Sequence, residues 1–293
     1  MAGGRAVVVG VDGSQGSHTA VGWAAQEAGR RHLSLRVVHA TVPTHLPAMR
    51  TTALAATTEW KQQAQKIAAD GVAAARRMDP TLTVELKVRL NETPAQALSD
   101  EADSAELLVL GARGSGFAKL RLGSTVVQLV KLTSGPVVVV RQPDAEVKPG
   151  PAAGQIVVGV DGSDASRRAA RFGFSEAALR GTGLTVVHAW TTPPHPALRT
   201  FEAPGGVDWS FLQSQAATTL SRSIATARQH APDVDVAERL INDQPGDALL
   251  DASRGAELLV VGSRGLGGLT GMFLASVSHG AVHRAHCSVA VVR

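Results

Sequence analysis

The stretch Val7–Ser14 reads VVVGVDGS and recurs 149 positions later as IVVGVDGS at Ile156–Ser163. Each stretch joins an apolar run, typical of a strand buried on both faces, to a short loop that contains glycine. The segment VVHA at Val37–Ala40 returns with the same displacement at Val186–Ala189. Whole blocks that agree in order and spacing indicate that a complete domain has been duplicated, since a short solenoid repeat would show many more copies.

Later blocks keep the order of the repeat with a displacement of 151 or 152 residues. For example, ELLVLGARG at Glu106–Gly114 matches ELLVVGSRG at Glu257–Gly265. Residues 143–153 hold three prolines and break both periodicities, so they are predicted to be a linker. We therefore predict one domain at residues 1–142 and a second at residues 154–293, called copy one and copy two below.

Strand and helix patterns alternate along each copy. In copy one the strands are predicted at Ala6–Val11, Leu33–Ala40, Thr83–Leu90, Leu107–Leu110 and Pro136–Val140, read as apolar runs covered on both faces. The helices are predicted at Ser17–Arg31, Leu54–Met78, Pro94–Asp103 and Gly123–Lys131, the first of them capped near Ser17. This alternation predicts an α/β fold in which each copy is a doubly wound, five-stranded parallel sheet.

Composition excludes several classes of protein. No apolar stretch is long enough to span a membrane, and the N-terminus lacks the pattern of a signal peptide. The single cysteine, Cys287, excludes an intrachain disulfide and favours the cytoplasm. A net charge of only +4 and 3% aromatic residues argue against nucleic acid as a partner.

In a doubly wound sheet with strand order 3-2-1-4-5, ligands bind beyond the carboxyl ends of the first and fourth strands. Both strands are followed here by glycine-containing loops, and a helix begins soon after the second loop. Glycines let backbone N–H groups approach an anion, and a helix N-terminus attracts phosphate. The candidate binding residues in copy one are Gly10, Asp12, Gly111, Arg113, Gly114, Ser115, Gly116, Gly123, Ser124 and Thr125. Those in copy two are Gly159, Asp161, Gly262, Arg264, Gly265, Leu266, Gly267, Gly268, Ala275, Ser276 and Val277.

Other interpretations of these residues stay open. Asp12 and Asp161 are also suited to forming a turn, and the loop arginines to lying in solvent. His39 and His188 end buried strands and are predicted to be packed and hydrogen-bonded. The sequence contains no Walker A pattern, no dinucleotide fingerprint and no recognisable catalytic triad.

Side chains elsewhere in the chain suggest less chemistry. Trp60 and Trp209, which open the second helix of each copy, are predicted to pack against their domains, with a lid over a base as the alternative. His279, His283 and His286 have helical spacing, but copy one has no histidines at these places, so no metal site is predicted.

The chain resembles the universal stress protein family in its tandem two-domain form, over nearly all of both copies. The ATP-binding branch of that family carries Gly, two residues, Gly, nine residues, then Gly-Ser or Gly-Thr, and an Asp after the first strand. Here the matching residues are Asp12, Gly111, Gly114, Gly123 and Ser124, and Asp161, Gly262, Gly265 and Ser276. The resemblance also implies that the backbone of Ala40 and of Ala189 meets adenine.

Each copy departs from the family pattern once. Only eight residues separate Gly114 from Gly123, one fewer than the pattern requires. In copy two the spacing is kept, but Ala275 stands where the third glycine is expected. Alanine costs little there if φ is negative, and strains the backbone if φ is positive.

The resemblance implies a regulatory protein that binds ATP, alone or with Mg²⁺, at one site per copy and has no dedicated catalytic machinery. It further implies that the apolar last strands, Pro136–Val140 and Ser288–Val292, pair between the copies as an intrachain pseudo-dimer. A homodimer and an unidentified regulatory protein partner are also expected. Two alternatives remain, namely an interaction scaffold that has lost nucleotide binding and a slow ATPase.

Overall fold

The computed structural model describes residues 5–42, 50–112, 122–142, 146–191, 209–263 and 276–293. In copy one the elements are β1 (Ala6–Gly10), α1 (Gln15–Arg31), β2 (Ser34–Thr41), α2 (Arg50–Met78), β3 (Val84–Leu90), α3 (Pro94–Ala102), β4 (Ala105–Gly111), α4 (Ser124–Leu132) and β5 (Val137–Val140). In copy two they are β6 (Ile156–Gly159), α5 (Asp164–Arg180), β7 (Leu184–Trp190), α6 (Trp209–His230), β8 (Val236–Asn242), α7 (Pro245–Ala252), β9 (Leu258–Gly262), α8 (Ser276–Arg284) and β10 (Ser288–Val292).

The chain divides into two compact units. The first unit comprises Met1–Pro143 and Ser288–Val291, and the second comprises Asp144–Cys287 and Val292–Arg293. In the first unit the strand order is β3-β2-β1-β4-β5-β10, and the first five of these strands are parallel. The order 3-2-1-4-5 predicted for copy one is therefore confirmed. The second unit has the order β9-β6-β7-β8 with parallel pairing.

One strand pair is antiparallel, and it joins the two last strands, whose pairing the family resemblance implies. Strand β10 belongs to the first unit and runs antiparallel to β5, with Val289 opposite Val139. All four valines of β5 are buried. Because an apolar edge strand has to be covered, the pairing with β10 supplies the cover that the sequence demanded.

The central strands are buried as predicted, but the third strand of each copy is not. Val7, Val8 and Val9 of β1 have no exposed surface. In contrast, β3 and β8 are half-exposed, because each lies at the end of its strand order. The expectation that Thr83–Leu90 is covered on both faces is therefore wrong, and the charged residues within it reflect its position at the edge.

Two helix starts also differ from the prediction. Helix α1 begins at Gln15, because the Oγ of Ser14 accepts the N–H of Ser17, so the cap is Ser14 and not a residue near Ser17. Helix α2 begins at Arg50, and Trp60 therefore lies inside it, whereas Trp209 does open α6. None of the helices in the described ranges is long and apolar enough to cross a membrane.

Candidate functional site

The loop after the first strand has the same hydrogen bonds in both copies. Asp12 Oδ1 accepts the backbone N–H of Ser14 at 3.0 Å, and Asp161 Oδ1 accepts that of Ser163 at 3.0 Å. The residue between the aspartate and the serine is Gly13 in copy one, with a φ of 80°, and Gly162 in copy two, with a φ of 87°. Glycine adopts this conformation without strain. Each aspartate thus has the turn-forming role that was one of its two interpretations, and its contact with a ligand stays a prediction.

A histidine, buried in copy one and partly buried in copy two, holds this loop against the end of the second strand. His39 Nδ1 donates to the carbonyl oxygen of Val11 at 2.7 Å, and His188 Nδ1 donates to that of Val160 at 2.7 Å. The prediction that both histidines are packed and hydrogen-bonded is confirmed. The next residue is Ala40 in copy one, which is buried, and Ala189 in copy two, which is partly exposed.

The backbone N–H and C=O of Ala40 face the open space beyond the end of β1. Val38 accepts a hydrogen bond from the N–H of Val11 through its carbonyl oxygen at 2.9 Å. Backbone groups of alternate residues point to the same side of a strand, so those of Ala40 face the same side as those of Val38. Since β1 ends at Gly10, Ala40 lies beyond it. Ala189 stands in the same relation to Val187, whose carbonyl oxygen accepts the N–H of Val160 at 2.9 Å.

The end of the fourth strand lies against the first turn of α1. A Cβ added to Gly111 would lie 2.5 Å from the carbonyl oxygen of Gly16 and 3.0 Å from the nitrogen of Ser17. In copy two, a Cβ on Gly262 would lie 3.0 Å from the carbonyl carbon of Ala165. Glycine at these positions therefore brings the β4 end and the β1 loop together, as the predicted crevice requires.

Gly10 and Gly159 have a packing role that the sequence did not predict, and their contact with a ligand stays a prediction. A Cβ on Gly10 would lie 2.8 Å from Leu98 Cδ1, and one on Gly159 would lie 2.7 Å from Leu249 Cδ1. These two glycines make room for an apolar side chain of α3 or α7. Their absence of a side chain therefore has a packing explanation that does not involve a ligand.

A hydrogen bond connects the N-terminus of α4 to the residue that follows β4. The N–H of Gly123 donates to the carbonyl oxygen of Ala112 at 3.1 Å, and Gly123 is the residue that precedes the helix. Ser124 is exposed and Thr125 is half-buried, so the first turn of the helix reaches solvent at this edge. Gly123 has a φ of −72°, which any residue adopts. Alanine at the equivalent place, as in copy two, is compatible with such a backbone.

The remaining predicted residues form two groups, those at the start of α8 and those outside the described part of the chain. In copy two, α8 begins at Ser276, followed by the half-buried Val277. The following predicted residues lie outside the described part of the chain: Arg113, Gly114, Ser115, Gly116, Arg264, Gly265, Leu266, Gly267, Gly268 and Ala275.

Sequence reasoning did not identify the aromatic pair at the edge of copy two. The ring centroids of Trp190 and Trp209 lie 6.4 Å apart, and Trp190 directly follows Ala189 in β7. At the equivalent place in copy one, Trp60 Nε1 donates to Thr41 Oγ1 at 3.3 Å. Trp190 and Trp209 lie 149 residues after Thr41 and Trp60, so the repeat could have indicated that the two positions are neighbours in both copies.

Two of the histidines near the C-terminus lie close together. His279 and His283 have ring centroids 4.3 Å apart. Within the described ranges, no group of three or more His, Cys, Asp or Glu side chains is arranged to hold a metal ion.

The duplicated fold agrees with comparisons to known proteins. The model of the universal stress protein family matches residues 4–141 and again residues 153–293.

The chain belongs to the universal stress protein family.

Relatives within this family span the whole chain. A universal stress protein of Mycobacterium tuberculosis is 37% identical over 297 residues, covering 98% of this chain and 96% of the relative. A universal stress protein of Mycolicibacterium smegmatis is 34% identical over 296 residues with the same coverage. Among solved structures, a universal stress protein from Archaeoglobus fulgidus has a TM-score of 0.65 at 18% identity and covers 98% of each chain, which supports the shared fold.

Proposed function

We propose that this chain is a regulatory protein that binds ATP at the carboxyl edge of each copy, with no dedicated catalytic machinery. The observation that carries the proposal is the close approach at Gly111, where a Cβ would lie 2.5 Å from the backbone of α1. That approach brings the β1 loop to the β4 end, and the hydrogen bond from the N–H of Gly123 to the carbonyl oxygen of Ala112 adds the N-terminus of α4 to the same edge. Gly262 makes the equivalent approach in copy two.

The proposed phosphate seat is the first turn of α4. The first N–H groups of a helix have no partner within the helix, and the helix dipole favours an anion beside them. Ser124 and Thr125 lie in this turn and reach solvent. In copy two, the proposed seat is the start of α8, at Ser276 and Val277.

The proposed adenine contact is the backbone of Ala40 and of Ala189. Its N–H and C=O face the space beyond the end of the first strand, where a donor and an acceptor suit the edge of a purine. In copy two the base would also lie near Trp190 and Trp209, whose rings offer a surface for stacking.

The fit to Mg²⁺ rests on one carboxylate per site. Asp12 and Asp161 lie in the β1 and β6 loops, and Mg²⁺ is commonly bound by one or two carboxylates together with the phosphates of its nucleotide. When bound, the cation would neutralise phosphate charge. The protein residues would supply the oxygen ligand and the backbone donors around it.

The regulatory role is proposed to act through a partner protein and through a homodimer. Bound nucleotide would select one arrangement of the glycine loops, and a partner with different affinity for that arrangement would respond. The proposed compartment is the cytoplasm, which suits a chain with a single cysteine.

The deciding experiment is to count nucleotides in the full-length chain. Purified protein is heat-denatured, and any released nucleotide is identified by mass spectrometry; empty protein is titrated calorimetrically with ATP and Mg²⁺. We expect two equivalents of ATP per chain, and one equivalent would mean that only one copy is competent. No binding at millimolar ATP would favour the scaffold alternative. Steady phosphate release that is lost in Asp12→Ala and Asp161→Ala would favour the slow ATPase.

A further inference from the structure

An open groove of about 500 Å³ lies between α2 and β3 in the first unit, far along the chain from the nucleotide loops. Its lining is formed by Ala69, Val72, Ala73, Arg76, Arg77 and Leu86, and this set is called the α2–β3 groove below. The floor is apolar, and Leu86 is 46% exposed. Two arginines stand at one end of it, both exposed.

The backbone of β3 is available beside the groove. The N–H of Leu35 donates to the carbonyl oxygen of Thr83, so Thr83 and every second residue after it face β2. Leu86 therefore directs its own N–H and C=O away from β2, to the outer side of β3. Among the described strands of the first unit, β3 stands at the end of the order, and none pairs with that outer side.

Copy two has an ion pair at the equivalent place. Glu238 lies opposite Val186 in the sheet, as Leu86 lies opposite Val37, and these valines belong to the repeated VVHA segment. Arg228 and Arg76 each stand two residues before the last residue of their helix. Arg228 Nη2 pairs with Glu238 Oε1 at 2.8 Å. The equivalents of this ion pair in copy one are Arg76 and Leu86.

The comparison identifies what is missing from copy one. Charged side chains on an edge strand protect it from pairing with another chain, and Glu238 is such a side chain. Strand β3 keeps the charged residues Glu85, Lys87 and Arg89, which pair with Arg36, Glu101 and Glu92. At the groove, however, Leu86 stands in place of a charged side chain and leaves Arg76 without the carboxylate that its equivalent has. No described residue forms an ion pair with Arg76 or Arg77. Copy one thus combines an unpaired strand edge, an apolar floor and two arginines.

We propose that the α2–β3 groove binds an extended, acidic and apolar segment of a partner protein as an added strand along β3. Backbone hydrogen bonds to the outer side of β3 supply affinity, as in other proteins that bind peptides at a sheet edge. An apolar side chain of the segment covers Leu86 and the alanines of α2. A carboxylate of the segment pairs with Arg76, where Glu238 pairs with Arg228 in copy two.

The test selects a phage-displayed library of random dodecapeptides on the immobilised full-length chain. Enriched peptides are synthesised with a fluorescein label, and their affinity is measured by fluorescence anisotropy. We expect enriched peptides to carry Asp or Glu next to alternating apolar residues. The variant Leu86→Glu, which installs the residue of copy two, should weaken binding at least tenfold.

Two controls separate binding from folding. Leu132 is 61% exposed at the end of α4, so Leu132→Glu makes the same chemical change away from the groove and should leave binding unchanged. Thermal denaturation of Leu86→Glu should match that of the wild type, since copy two folds with a glutamate at this place.

The double variant Arg76→Glu/Arg77→Glu tests the charge preference of the groove. It should no longer bind the acidic peptides and should favour basic ones.

Three results would overturn the proposal. The first is a selection that enriches no acidic, apolar sequence. The second is a set of peptides that bind Leu86→Glu as tightly as the wild type. The third is concentration-dependent self-association, measured by light scattering, that Leu86→Glu abolishes, because the occupant would then be a second copy of this chain.

Discussion

Copy one and copy two hold the loop after their first strand in the same way but differ on the sheet face beneath their third helix. In copy one, Arg36 is buried and donates to Glu85 at 2.9 Å and to Glu101 at 3.0 Å. Lys87 also donates to Glu101, at 2.8 Å. In copy two the equivalents of Arg36 and Glu101 are Thr185 and Ala252, and Thr185 donates to Gln155 at 2.9 Å.

The difference shows which part of the fold is constrained. The hydrogen bonds that hold the loop after the first strand have equal lengths in the two copies, whereas a buried ionic cluster is exchanged for neutral residues. A buried ion pair offsets much of its attraction by the cost of removing two charges from water, so its replacement by packed neutral residues is compatible with the same fold. The cluster is therefore a property of copy one and not a requirement of the architecture.

The largest expected effect is the loss of one partner of that cluster. Glu101→Ala leaves Arg36 buried beside a single carboxylate, and removal of one partner of a buried pair costs about 3 kcal/mol of stability. Urea denaturation followed by hydrogen exchange in each copy measures the loss, since a chain of two units need not unfold in one step. The loss should be confined to copy one.

The double variant Arg36→Thr/Glu101→Ala sharpens the same comparison, because it installs the residues of copy two. We expect it to lose less stability than Glu101→Ala alone, since Lys87 is 39% exposed and can turn to solvent. A double variant that is less stable than the single one would mean that copy one depends on the cluster itself.

An intermediate effect is expected at the fourth strand. A Cβ on Gly111 would lie 2.5 Å from a backbone oxygen, which cannot move without shifting α1, so Gly111→Ala should cost about 2 kcal/mol. Gly262→Ala begins from a contact of 3.0 Å and should cost about 1 kcal/mol. Calorimetric ATP titration of both variants reports the site itself. Equal losses of stability in the two variants would mean that the difference between the 2.5 Å and 3.0 Å contacts does not set the cost of the added Cβ.

The smallest expected effect concerns Asp79, which follows α2. Its Oδ1 accepts the hydroxyl of Thr81 at 2.7 Å and the N–H of Thr81 at 2.9 Å. These bonds, the hydroxyl first, hold the pKa of Asp79 below its ordinary value of 3.8. A lowered pKa in the folded chain means that the stabilisation is complete above the ordinary value and is lost as the pH falls through the lowered one.

Asp79→Asn keeps an oxygen acceptor but does not titrate, so it is the matched variant for this effect. We expect the wild type to exceed it slightly in stability near pH 6 and to lose that advantage below about pH 4. Urea denaturation at several pH values measures the difference between them. An advantage that grows on acidification would reverse the expected sign.

The sequence predicted most elements of copy one to within a few residues, because each strand and helix has a local pattern. It misplaced the start of α2 at Leu54, where the helix begins at Arg50, three residues after Pro47. It also did not predict that Gly10 makes room for Leu98. That residue lies 88 positions away, and no local pattern contains the contact.

The amino-acid sequence by itself determined the duplication, the α/β class, the parallel pairing within each copy and the two glycine-containing loops expected at the carboxyl edge. These follow from repetition, from apolar periodicity and from the handedness of parallel crossovers, which all act on neighbouring residues or on whole blocks. Only the tertiary structure decided that Gly10 makes room for Leu98, that Gly111 makes room for α1, and that Leu86 lies on an unpaired edge. These depend on which elements pack together, and contacts between residues distant in the chain are set by packing and not by local sequence.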